Sequence, residues 1–121
     1  MAAGTPQNLA LLAIRDVNPD LDPNIPADRI EIVQKYALNT LYFTTSGGFW
    51  VNNAEWTSAS RTCDWFGITC DENNRARAVN LDENDLFGLL PSEIRGLADL
   101  SKFSFVSRTE EGFRSAICPR Y

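Results

Sequence analysis

Few residues in this chain have the types and spacing for chemistry, and they exclude more than they support. The 121 residues include no histidine, so no imidazole base can activate a serine or cysteine nucleophile. Three cysteines are present, Cys63, Cys70 and Cys118. Structural zinc takes four Cys or His ligands, which argues against a zinc site. Cys63 and Cys70 flank a short aromatic segment, and Cys118 is left over. Two readings follow: a Cys63–Cys70 disulfide closing a small loop, or three buried thiols acting as small hydrophobes. The residues around the pair favour the bridge.

The carboxylates give a similar answer. Asp82, Glu83 and Asp85 cluster in sequence, but a catalytic pair needs an enclosed pocket that raises one pKa. They read instead as a solvated or ligand-facing surface. Asp20, Asp22, Asn24 and Glu31 fall at positions 1, 3, 5 and 12 of a calcium-loop template. Ile25 stands where that loop requires glycine, and Pro23 and Pro26 stiffen it; a Pro- and Asp-rich leader before a helix is the better account. Ser46-Gly47-Gly48 is a helix stop rather than a phosphate loop, and no protein-kinase signature is present. No catalytic residue, metal or cofactor is expected, and the chemistry left is recognition. Trp50, Trp56 and Trp65 could stack on sugars, but large aromatics near a helix and a cysteine pair read as core.

Bulk properties narrow the partner. Hydrophobic residues make up 44% of the chain and charged residues 22%, enough for one small soluble domain. The formal charge is −5, and the arginines are scattered from Arg15 to Arg120, so nucleic acid is not an expected partner. The longest apolar run, Leu9 to Ile14, is far short of the roughly 20 residues needed to span a bilayer. No basic residue precedes it and no small-residue cleavage site follows, so no targeting segment is read.

The elements that must position these residues start with a leader, 1–26, carrying Pro6, Pro19, Pro23 and Pro26. It is expected to be flexible, with one helical turn at Leu9 to Arg15. Ile30, Val33, Ala37 and Leu41, widened by Leu38 and Tyr42, then predict an amphipathic helix over Ala27 to Phe43, with Glu31, Gln34, Lys35 and Asn39 on its polar face. Trp65 to Cys70 reads as a short strand, Asp71 to Asn74 as a turn, and Ala76 to Leu81 as a second strand. Together they predict a β-hairpin stapled at its base by the cysteine pair.

From Val79 the spacing changes. Val79-x-Leu81-x-x-Asn84-x-Leu86-x-Gly88-x-Leu90-Pro91, then Ile94, Leu97 and Leu100, is too irregular for one helix and too long for one strand. A repeat coil fits: a short strand, an asparagine whose amide satisfies main-chain groups at the turn, and a loosely wound return. Leu100-x-x-Phe103-x-Phe105 repeats the apolar set of Ala76-x-x-Val79-x-Leu81 about 24 residues later. The next positions depart: Asn84, Leu86 and Leu90 map onto Arg108, Glu110 and Arg114, and 107–121 is expected as an irregular tail.

Taken in order, these motifs resemble the plant-type leucine-rich-repeat N-terminal cap with its first repeat, as found in plant and algal receptor-like proteins. The matching residues are Ala37-Leu38 and Leu41-Tyr42-Phe43, then Trp50, Trp56 and Cys63-Asp64-Trp65-Phe66-Gly67-Ile68-Thr69-Cys70. Asn84-Asp85-Leu86-Phe87-Gly88-Leu89-Leu90-Pro91-Ser92-Glu93-Ile94 completes the set, over somewhat more than half the chain. The resemblance implies a Cys63–Cys70 disulfide and an α/β fold: a helix-and-hairpin cap (27–75) leading into about one and a half repeats of a solenoid (76–106). It also implies a non-catalytic scaffold for a protein or peptide ligand, or for other leucine-rich-repeat proteins, outside the cell or at its surface. Asn80, Asp82, Lys102 and Ser104, with Ala78 and Val106, would line the concave face, while Leu81, Asn84, Leu86, Gly88, Leu90 and Pro91 would build the repeat. Two rivals are the ectodomain end of a receptor-like kinase and a secreted inhibitor or structural protein.

Overall fold

The computed structural model describes residues 5–88, 91–97, 99–109 and 112–118. Among them the chain forms helices α1 (Pro6–Val17) and α2 (Pro26–Thr44) and strands β1 (Ile68–Cys70), β2 (Ala76–Phe87), β3 (Lys102–Thr109) and β4 (Gly112–Cys118). Short 3-10 turns lie at Gly47–Phe49, Thr62–Asp64 and Ser92–Gly96. The result is a mixed helix-and-sheet body.

The first 26 residues depart from expectation. Instead of a single turn at Leu9 to Arg15, α1 runs for 12 residues and packs along α2, burying Ala10 and Ile14. The prolines do not oppose this helix, because Pro6 occupies its first turn, where no amide donor is needed. The Thr5 side chain caps it by accepting from the Asn8 amide. Pro19 and Pro23 fall in the link between the helices, and Pro26 opens α2. Two carboxylates of the calcium-like template, Asp22 and Glu31, are engaged in hydrogen bonds within the fold. Asp28 accepts from the Asp22 amide and Asp22 from the Asn24 amide, while Glu31 holds both the amide and the hydroxyl of Thr62.

Helix α2 spans 19 residues and buries Ala37, Leu38 and Leu41 as its periodicity requires. Its polar face is the surprise: Gln34, Lys35 and Asn39 are buried as well, whereas Val33 is exposed. The helix is wrapped rather than half-solvated. Gln34 donates to Thr62 Oγ1 and the Asn74 carbonyl and accepts from the Ala76 amide. Lys35 Nζ reaches the carbonyls of Ser58 and Ser60 at 3.0 and 2.8 Å, above the Trp65 ring. These bonds repay the desolvation of the polar groups and pin the loop across the back of the helix.

The three indoles are core. Trp50, Trp56 and Trp65 form a run of ring contacts with Tyr42, at centroid spacings of 5.4, 4.8 and 5.2 Å. Each indole N–H finds a carbonyl, of Thr45, Phe66 and Ser60 respectively. The same cluster takes in Leu38, Leu41, Ile68, Val79, Leu81, Leu86, Ile94, Leu97, Leu100 and Phe103, so helix, aromatic loop and sheet share one core.

The sheet order is β1-β2-β3-β4. β1 and β2 form the expected antiparallel hairpin with Ile68 opposite Val79, although β1 is shorter than anticipated because Thr62–Asp64 turns just before it. Gly67, at φ +83°, makes this pairing possible: its carbonyl accepts from Asn80, and a Cβ there would press onto the Asn80 carbonyl. β2 and β3 are parallel, with Ala78 beside Lys102, Val79 beside Phe103, Asn80 beside Ser104 and Leu81 beside Phe105. The spacing read from sequence is therefore the ladder register. Residues 107–109 and 112–118 correct another expectation, of an irregular tail over 107–121: β3 continues to Thr109, and β4 returns antiparallel to it, pairing Phe103 with Cys118 and Thr109 with Gly112.

Candidate ligand-binding face and the junction that positions it

The polar residues expected to face a ligand come from β2 and β3. Parallel register sets Ala78 next to Lys102 and Asn80 next to Ser104, so all four candidates, Asn80, Asp82, Lys102 and Ser104, fall on adjacent strands. Asn80, Asp82 and Lys102 are exposed. Ser104 is not: it is only 7% exposed and donates to Asp82 Oδ1 at 2.7 Å. Ser104 thus shares the face of Asn80 and Asp82 but is little exposed, its hydroxyl being spent on fixing the Asp82 carboxylate. Asn80 adds a second restraint, accepting from the Asp82 amide at 3.0 Å. The strip offers an amide, a held carboxylate and an ammonium, a set that can exchange hydrogen bonds and ion pairs. The side chain of Val106 lies outside the described residues.

Asn84 ties this strip to the loop that follows α2. β2 and β3 fall out of register between Leu81 and Leu86, and Asn84 is buried in that interval. Its Oδ1 accepts from the Asn52 amide at 2.6 Å and its Nδ2 donates to the Asn52 carbonyl at 2.8 Å. The Val51 amide donates in turn to the Asn84 carbonyl. An asparagine amide can pair with one backbone N–H and one C=O at once, and here both belong to Asn52. Leu81 and Leu86 on either side are fully buried. Gly88, at φ +123°, lets the chain pass against the Thr44 carbonyl where a Cβ would collide. Pro91 leads into the turn Ser92–Gly96, which sends Ile94 and Leu97 into the core. Leu90 lies outside the described residues.

The disulfide forms between Cys63 and Cys70. Cys70 pairs with Ala76 at the turn end of the hairpin, so the bridge clamps that end to the Thr62–Asp64 turn rather than stapling the base. Cys118 sits on β4. Around the hairpin turn, Asp71 accepts from the amides of Arg75 and Asn73, and these bonds, the Arg75 one foremost, hold its carboxyl below the ordinary range. Arg75 also pairs with Asp99 at 2.9 Å.

Sequence reasoning missed the buried polar belt of Gln34, Lys35 and Thr62, with the half-buried Glu31 at its edge, since charged and amide side chains read as solvent-facing. Burial holds the Lys35 ammonium below its ordinary pKa, against an opposing pull from Glu31. Among the described residues, no three His, Cys, Asp or Glu side chains gather to hold a metal ion. No helix there is long and apolar enough to cross a membrane.

The geometry defines a disulfide-bonded helix-and-sheet unit presenting a short polar strip on a parallel strand pair. In sequence it is similar to a probable leucine-rich repeat receptor-like protein kinase of Arabidopsis thaliana, 31% identical over a 64-residue alignment that covers 46% of this chain. The match covers only 7% of that plant protein's length. No family model and no solved structure matches the chain. The similarity points to a leucine-rich-repeat type of region, and with the disulfide it fits an extracellular setting.

Proposed function

We propose that the chain is the N-terminal cap and opening repeat of a non-catalytic leucine-rich-repeat recognition scaffold, acting outside the cell or at its surface. One observation carries the reading. The apolar repeat in the sequence coincides with the register of the parallel β2–β3 ladder, Val79 beside Phe103 and Leu81 beside Phe105, with the cap bonded to the first coil through Asn84. Repeat coils cannot bury their apolar faces alone and need a terminal unit with a polar outer side. The wrapped α2, the indole cluster and the Cys63–Cys70 bridge would supply that unit. The polar strip of Asn80, Asp82 and Lys102 would be the start of a face for a protein or peptide ligand, or for another leucine-rich-repeat protein. A standard interface uses roughly 800 Å² per partner, so this strip would contribute to a larger surface.

The test is a graft. Residues 1–106 would be joined in register to a leucine-rich-repeat array stripped of its own N-terminal cap. Soluble monomer with a single cooperative unfolding transition is the expected result. Aggregation equal to that of the bare array, or two independent transitions, would overturn the reading. A second reading takes the chain as the ectodomain end of a receptor-like kinase, and the similarity to the Arabidopsis protein favours it. A longer transcript encoding kinase motifs would establish it.

A further inference from the structure

A buried glutamine on α2 sets two arginine-bearing segments beside the helix. Gln34 donates to Thr62 Oγ1 and the Asn74 carbonyl and accepts from the Ala76 amide. It therefore grips the residue after Arg61 and the residues on either side of Arg75. The Cys63–Cys70 bridge ties the first segment covalently to the hairpin that carries Arg75. At α2 these segments frame a concavity of about 260 Å³, whose lining includes Ile30, Glu31, Arg61, Asn73, Asn74 and Arg75. A second concavity of about 180 Å³ shares Ile30 and Arg75 with it. Val33, an apolar side chain 40% exposed, lines that second one.

Donors are left over here and acceptors are not. Glu31 spends both carboxylate oxygens on Thr62, and Asp99, in the second concavity, is paired with Arg75. Arg75 gives one N–H to Asp99, and a guanidinium carries five. Arg29 adds a third guanidinium at the second concavity, its Nε donating to the Pro23 carbonyl. The Arg61 guanidinium and the side-chain amides of Asn73 and Asn74 make no hydrogen bond or ion pair among the described residues. The chain carries a net charge of −5, so an acidic partner is repelled by most of its surface and held at a basic spot.

We propose that this site binds a glutamate or aspartate side chain of a protein or peptide partner, with an adjoining apolar side chain of that partner in the second concavity. Planar guanidinium groups match carboxylates, and the asparagine amides add neutral donors. Ile30 and Val33 offer the partner's apolar groups a surface to cover. Gln34 and the bridge fix the backbone of both arginine segments beforehand, which leaves less ordering to binding. The site shares no residue with the strip of Asn80, Asp82 and Lys102, so it stands whether or not the chain caps a repeat array.

The test titrates two blocked peptides into the full isotope-labelled chain, followed by NMR. One is Gly-Glu-Leu-Gly; the other has glutamine for glutamate, which keeps the shape and loses the charge. The glutamate peptide is expected to bind with Kd on the order of a millimolar, and to shift the Arg61 Nε–H and the amides of Asn73, Asn74 and Arg75. Raising ionic strength from about 0.01 to about 0.15 M should weaken it. Arg61→Gln should weaken it about two- to fivefold, and the fold loses no hydrogen bond of that side chain. Arg15→Gln, which removes an exposed cation lining neither concavity, should change nothing. Equal binding of the glutamine peptide, undiminished binding to Arg61→Gln, or shifts confined to other residues would each overturn the proposal.

Discussion

Asn84 offers the sharpest test of how the loop after α2 and the sheet are joined. Asn84→Ala removes two hydrogen bonds to Asn52, at 2.6 and 2.8 Å. At about 1 kcal/mol net for each, the loss is about 2 kcal/mol. Asn52 is itself exposed, so water can reach its freed backbone groups and the cost should not rise much further. Unfolding entropy near 2.1 cal/mol/K per residue converts this into a fall in Tm of roughly 8 °C for a chain of this length. Asn84→Asp looks gentler and should be worse. It keeps the acceptor for the Asn52 amide but sets a carboxylate oxygen against the Asn52 carbonyl, in a site where the charge is buried. An uncompensated buried charge costs about 3–5 kcal/mol. Acid should relieve it: the introduced carboxyl has a raised folded-state pKa, so the variant gains on the wild type as pH falls and the protonated form donates again. The assay is thermal and urea unfolding followed by the buried indoles, with hydrogen exchange at the Asn52 amide. If Asn84→Asp is at least as stable as Asn84→Ala at neutral pH, the two-way bond is not what ties the junction.

Three further outcomes follow from the packing. The Cys63–Cys70 bridge has a sequence separation of 7, and loop closure of that size is worth roughly 2.5 kcal/mol; the Cys63→Ser/Cys70→Ser double variant should lower the urea midpoint accordingly, and an unchanged midpoint refutes it. Lys35 has its folded-state pKa lowered by burial, so between that value and the ordinary lysine value the unfolded chain holds more protons, and this group's contribution to stability rises with pH. Urea midpoints from about pH 8 to about pH 10 should therefore climb more steeply in the wild type than in Lys35→Met, and parallel profiles would contradict the assignment. Proline at Ser115, which pairs with Val106 in mid-strand, should detach β4 and bare the long edge of β3, producing concentration-dependent association in sedimentation; a variant that stays monomeric at all concentrations would count against β4 as the edge cover.

What the sequence reveals and what it hides divide along a physical line. Apolar periodicity is local and survives folding: Ala37, Leu38 and Leu41 mark the buried face of α2, and Val79, Leu81, Phe103 and Phe105 mark the ladder before any strand is drawn. The cysteine pair and the indoles are legible for the same reason, since few environments suit them. Polar burial is different, because it is decided by groups distant in the chain. Gln34 is buried since it meets Thr62, Asn74 and Ala76, and Lys35 since it meets Ser58 and Ser60. Nothing within one turn of either residue announces those partners. The low exposure of Ser104 is hidden in the same way: alternation gives its face, but not that its hydroxyl is taken by Asp82 across the ladder.

The end of the sheet carries this logic one step further. Arg108 and Arg114 break the apolar repeat, and a charged side chain cannot take an inward position in a coil without a partner. Where a second coil would turn inward, β3 instead continues to Thr109 and β4 comes back beside it, pairing Arg108 with Phe113 and Ser107 with Arg114. Antiparallel return needs only a short connection, whereas a further parallel strand needs a crossover of a dozen or more residues. β4 therefore occupies the β3 edge on which a following coil would have to pair. Any extension of the array past β3 has to exchange that seven-residue ladder for a parallel one of at least equal strength. The leucine pattern is lost after Val106 on the same strand whose second edge β4 covers from Phe103 to Thr109.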